Sequence, residues 1–194
     1  MNRLRFFAAF ASLAVLLPLS GCTISTHESK GQSGKNDNVD IRTPAGSLSV
    51  HSGDVDAKDT GLTVYPGAKV KPNANDKDEN ANVNLSMFGF GVKVVAVKFD
   101  SSDSSDKVMD FYRKELGKYG NVVQCDTNDS GFNYHKHRAG DDPVTCDHDN
   151  PGHRTQELKA GTQNNQHVVA VTPHGNSCEF ALVYVRVRDG KDTI

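Results

Sequence analysis

His135, His137, Cys146, His148 and His153 form the densest group of chemically versatile side chains in the sequence. Imidazole and thiolate groups bind zinc or copper, and H-x-H followed by C-x-H can crowd donors around one ion. The spacing fits no standard zinc finger, and Lys136 and Arg138 flank the first pair with charge that opposes a cation. Solvated loop histidines are therefore the preferred reading, and a metal site of His135, His137, His148 and His153 is the alternative. His27, His51, His167 and His174 are scattered, and no role is assigned to them.

Other chemistry is poorly represented. A nucleophile elbow, a phosphate-binding loop and H-E-x-x-H are absent. Gly89-Phe90-Gly91 lacks the third glycine of a dinucleotide fingerprint and lies between two strand-like runs. Cys178 with His167 or His174 makes no specific nucleophile–base signature. The chain carries 22 basic against 24 acidic residues, which gives nucleic acid no electrostatic hold. A non-catalytic protein without a cofactor is expected.

The first residues carry an address. Arg3 and Arg5 precede the apolar run Phe6–Leu17, which spans 12 residues. Crossing a bilayer as a helix takes about 20, so the segment suits a cleaved export signal. Pro18 ends it, and Leu19-Ser20-Gly21-Cys22 follows. These four residues resemble the bacterial lipobox: an aliphatic residue, two small residues and the acylated cysteine. The resemblance implies cleavage of a signal peptide over 1–21 and lipidation of Cys22 with palmitate-type chains. The membrane would then be a partner through the N-terminal lipid, since two or more acyl chains hold firmly at about 0.8 kcal/mol per buried CH₂. Thr23 rather than Asp after the cysteine favours the outer membrane, with the body facing the periplasm of a bacterial envelope.

An exported chain meets an oxidising compartment. With Cys22 acylated, Cys125, Cys146 and Cys178 permit three single bridges. Cys125–Cys146 is preferred because it closes a segment poor in apolar anchors, worth about 3 kcal/mol on the chain-entropy model. Cys178, opening an apolar strand, is then a small buried hydrophobe. Cys125–Cys178 is the rival bridge.

The positioning elements follow from hydrophobic periodicity. Residues 22–38, rich in Ser, Gly, Lys and Asn, read as a flexible tether with a span of about 20–25 Å. Residues 39–60 read as a small hairpin, turning at Pro44-Ala45-Gly46, and a linker. Pro66-Gly67 is a type II turn signal at the start of the main domain, 61–188. Strands are expected at 82–88 and 92–99, with Gly89-Phe90-Gly91 as the turn. A helix over 103–119 follows, with Asp103 and Asp106 at its start and an apolar stripe of Val108, Phe111, Tyr112, Leu116 and Tyr119. Further strands are expected at 121–125, 155–160, 166–172 and 178–187, with a long loop over 126–152 and a tail at 189–194.

This order predicts an α+β fold, a mainly antiparallel sheet covered on one face by a single helix. Tyr65 to Ala68, with Asp103, Val108, Phe111, Tyr112 and Leu116, resembles small uncharacterised bacterial α+β domains that open near a Tyr-Pro-Gly-Ala turn. That likeness implies no activity. The expected function is a membrane-anchored lipoprotein with a monomeric periplasmic domain in a binding or structural role, its partner an envelope protein. A zinc- or copper-binding lipoprotein using loop 134–153 is the alternative.

Overall fold

The computed structural model describes residues 23–31, 34–52, 55–71, 80–127, 142–146 and 155–188. Residues 1–22 and 189–194 and most of the 126–152 segment lie outside them. The architecture is the expected α+β arrangement, with one antiparallel sheet and, among the described residues, one α-helix.

The strands are β1 (Thr23–Gly31), β2 (Gly34–Thr43), β3 (Gly46–Ser52), β4 (Lys69–Val70), β5 (Ala81–Met87) and β6 (Phe90–Ser101). After the helix α1 (Ser105–Leu116) come β7 (Val123–Thr127), β8 (Thr155–Thr162), β9 (Asn165–His174) and β10 (Ser177–Arg188). They run across the sheet as β1-β2-β3-β5-β6-β10-β9-β8-β7, with β4 also on β6. β4 and β5 share one edge of β6 in tandem. The Asn80 side chain fills the gap between them, its Oδ1 accepting from Lys98 N at 2.8 Å.

Period-two alternation explains the core. Val97 and Phe99 of β6 stand opposite Leu182 and Phe180 of β10, on the face that α1 covers. The helix presents Val108, Met109, Tyr112 and Leu116 to them, all buried. Phe180 stacks on Phe99 with centroids 5.2 Å apart and meets Tyr112 at 5.5 Å. Tyr65 packs edge-on to Phe111 at 5.2 Å. The turn at Pro66-Gly67 forms as expected, with Ala68 N donating to Tyr65 O at 3.0 Å and Gly67 at φ 79°.

The structure corrects the tether. Residues 23–31 and 34–38 of the 22–38 segment are sheet: β1 pairs with β2 from Thr23↔Arg42 to Gly31↔Gly34. Its polar composition misleads because backbone hydrogen bonds, rather than side-chain burial, can hold an edge hairpin on an existing sheet. The 39–60 hairpin does form, with its turn at residues 44–45. It is continuous with the main sheet because β3 pairs with β5 from Gly46↔Met87 to Ser52↔Ala81, so no domain boundary falls at residue 61. The linker also docks, placing Thr60 in the interior beside Leu62.

Two smaller corrections concern α1 and the β5–β6 turn. The helix is shorter than 103–119: Ser104 is its N-cap, and residues 117–119 tighten into a 3₁₀ turn that ends at Gly120. Asp103 does not cap the helix, because its carboxylate is held by Tyr65 and Lys107. The β5–β6 turn is Phe88-Gly89 rather than Gly89-Phe90-Gly91, and Phe90 begins β6. Both turn residues have positive φ, 49° at Phe88 and 84° at Gly89. A two-residue hairpin loop of this hand matches the sheet twist but favours Asn or Gly over a bulky side chain. Replacing Phe88 with Asn should therefore raise stability by about 1 kcal/mol, read as a higher urea midpoint at unchanged slope.

Candidate functional site

Antiparallel pairing brings distant segments to two opposite ends of the sheet. One end gathers Ser101, the start of α1, the β9–β10 turn and the 66–67 turn. There the Tyr65 hydroxyl donates to Asp103 Oδ2 at 3.1 Å, and Lys107 Nζ donates to Oδ1 at 2.8 Å. Ser101 Oγ accepts from Asp103 N at 3.1 Å. The Tyr112 hydroxyl accepts from Tyr65 N at 3.0 Å, so one tyrosine fixes the backbone that aims the other. Lys107 first, and then the Tyr65 hydroxyl, hold the Asp103 carboxyl below the usual carboxylate range. Burial, with Asp103 beside it, raises the Tyr65 hydroxyl.

Next to this network is an open cleft of about 360 Å³, lined in part by Lys69, Asp100, Ser101, His174, Ser177 and Cys178. Its lining mixes both charges and short hydroxyls. Cys178 is only 2 % exposed, and its thiol is pushed up by burial and then by the Asp103 and Asp100 carboxylates. A thiolate nucleophile needs the opposite surroundings, a nearby cation or a helix N-terminus that lowers the pKa. The cleft geometry suits a shallow polar contact.

The preferred disulfide is present: Cys125 and Cys146 are bridged, with their α carbons 5.7 Å apart. Cys125 lies on β7, and the segment carrying Cys146 runs along the sheet where Val144 N donates to Gly161 O. Cys178 is free and buried, as expected. The proposed ligands His135, His137, His148 and His153 lie outside the described residues, as does Cys22. Among the described residues no three His, Cys, Asp or Glu side chains gather as a metal site.

His167, to which the sequence assigned nothing, proves to be an interior group. Its ring stacks on Tyr119 with centroids 3.7 Å apart and lies 4.9 Å from that of Tyr184. Nδ1 is 3.0 Å from Thr60 O, and a carbonyl only accepts, so Nδ1 carries the hydrogen. Gly61, at φ 76°, lets the chain pass: a β carbon there would lie 3.1 Å from both the His167 ring and the Tyr119 hydroxyl. The signal was available, since His167 is in phase with buried Val169 and Val171. Period two cannot distinguish an interior imidazole from an edge one, however.

No family model, curated protein or solved structure matches this chain.

Two outcomes follow from this geometry. Removing the bridge by a Cys125→Ala, Cys146→Ala pair should cost about 3 kcal/mol on loop-entropy grounds, measured by urea denaturation, for a sequence separation of 21. The second concerns pH. Burial lowers the pKa of His167, with the Thr60 carbonyl opposing part of the shift. The unfolded chain therefore takes up this proton first, near the ordinary value of about 6.5. The resulting stability is complete at pH above that value and is lost as the pH falls through it toward the folded-state pKa. Urea midpoints should fall between pH 7.5 and pH 5, and a His167→Gln variant should show a shallower fall.

Proposed function

We propose that this chain is a membrane-anchored bacterial lipoprotein whose non-catalytic body acts in the periplasm in a binding or structural role. The account of its four cysteines carries the proposal. Two are joined in a disulfide and a third is a buried thiol, so folding occupies three of them. The fourth, Cys22, is the one that ends Leu19-Ser20-Gly21-Cys22 behind the apolar leader. Acylation gives that sulfur a use, and the bridge between Cys125 and Cys146 suits the oxidising compartment to which the leader would send it. Thr23 after the cysteine favours the outer membrane. The shallow cleft and the raised Cys178 thiol favour contact with a partner over turnover.

Metal binding through His135, His137, His148 and His153 is the weaker alternative, because the bridge removes the neighbouring Cys146 thiolate as an additional donor.

The full reading frame expressed in a bacterial host should yield protein that begins at Cys22 and carries acyl chains by intact mass. A Cys22→Ser variant should lose the acyl mass and leave the membrane fraction. An unmodified chain that retains residues 1–21 and stays in the cytosol would overturn the proposal. Metal analysis of the same preparation decides the alternative: stoichiometric zinc or copper supports it, and none removes it.

A further inference from the structure

The end of the sheet opposite the cleft gathers three of the most exposed large apolar side chains in the described structure. Phe88 is 84 % exposed, Met87 47 % and Phe90 40 %, all at the tip of the β5–β6 hairpin. The hairpin puts Phe88 in a left-handed conformation that a bulky residue adopts only at a cost. A large aromatic ring held outward at that cost, where Asn or Gly would serve the turn, points to a role outside the fold.

The register shows what lies beside it. Gly46 pairs with Met87, Thr43 with Gly46, and Thr23 with Arg42, so the first residue of β1 is at this same end. Three strand spacings, about 15 Å, separate β1 from β5. Cys22 is one peptide bond from Thr23, which is exposed. On the other side of the tip, Arg188 pairs with Gly91 and Arg186 with Lys93. Arg42, Arg186 and Arg188 are exposed and make no salt bridge among the described residues, while Lys93 lies 6.0 Å from the Tyr184 ring centroid. Among the described residues the carboxylates nearby are Asp40, which is engaged with His51 at 3.5 Å, and exposed Asp142 beside the β8–β9 turn.

We propose that this end of the sheet, with Phe88 at its apex, docks onto an anionic bilayer surface. Met87, Phe88 and Phe90 enter the boundary between headgroups and acyl chains, while Arg42, Arg186 and Arg188 meet lipid phosphates. The proposal rests on the lipid anchor proposed above, and it assigns that anchor an orientation. An acyl group on Cys22 enters the bilayer beside the hairpin tip, with no tether between lipid and sheet. Apolar wedges flanked by cations are the usual chemistry of interfacial binding, and the charge component is screened by salt. β6 runs the length of the body for about 35 Å, so the cleft at its far end faces away from the membrane toward a partner.

The chain has no tryptophan, so Phe88→Trp places a single reporter at the tip, with Val64→Trp, at an exposed site next to Tyr65 and the 66–67 turn, as its counterpart. Each full-length variant is expressed, purified as processed, and added to phosphatidylethanolamine–phosphatidylglycerol vesicles containing brominated acyl chains. Flotation reads the anchor, and quenching reads the docking. Co-flotation with blue-shifted, bromine-quenched emission from residue 88 and water-like emission from residue 64 is expected. Arg42→Glu with Arg188→Glu should restore water-like emission at residue 88 without releasing the protein. Co-flotation with unquenched residue 88, or quenching at residue 64 instead, would overturn the docking and leave the anchor standing. Failure to float would overturn the anchor and, with it, the docking. Phe90→Trp repeats the measurement if the residue 88 variant folds poorly.

Discussion

The pairing of β6 with β10 is the constraint on which the rest depends. It runs in register from Ser101↔Cys178 to Gly91↔Arg188, and each of these strands also pairs along its other edge. Because side chains alternate with period two, this register alone decides that Phe99, Phe180, Val97 and Leu182 share a face. A slip of β6 by one residue would carry Val97 and Phe99 to the other side, out of the core they form with Phe180, Leu182 and α1. The aromatic contacts, the burial of Cys178 and the seat of Tyr112 all follow from it.

Around that pair the polar groups serve as fasteners. Tyr112 and Tyr65 form a short relay from the helix interior to Asp103. Tyr119 and His167 do the same at the 57–61 segment, where the Tyr119 hydroxyl donates to Gly61 O at 2.5 Å. These bonds tie segments far apart in sequence to one core, so the 55–68 stretch, which forms little regular structure, is still fixed. Buried donors and acceptors left unpaired there would cost more than each bond contributes when made.

An antiparallel sheet also sorts its connections by end. Hairpin turns at 44–45, 88–89 and 163–164 fall at the same end as Thr23, and the turn at 175–176 falls at the other, with the cleft. The body thus has a polarity that bears directly on its proposed anchoring. The N-terminal strand starts where the most exposed aromatic residue and three arginines lie, while the mixed-charge cleft is a strand length away.

By itself the sequence determined the strand–strand–helix–strand order and the antiparallel α+β class, and it holds the apolar 6–17 run and the lipobox-like Leu19-Ser20-Gly21-Cys22 on which the anchoring proposal rests. It also favoured the Cys125–Cys146 pair and a buried Cys178. These were legible because each depends on local signals: apolar run length, period two or 3.6, turn residues, and a loop short of other anchors. Only the tertiary structure decided that β1 and β2 belong to the sheet, since polar strands gain their stability from a neighbour's backbone and leave no hydrophobic pattern. The same holds for His167, whose interior position depends on Tyr119 and Thr60, and for Asp103, drawn from the helix cap by Tyr65 across 38 residues of sequence. Contacts of that span are fixed by register and packing, and no local window of the chain contains both partners.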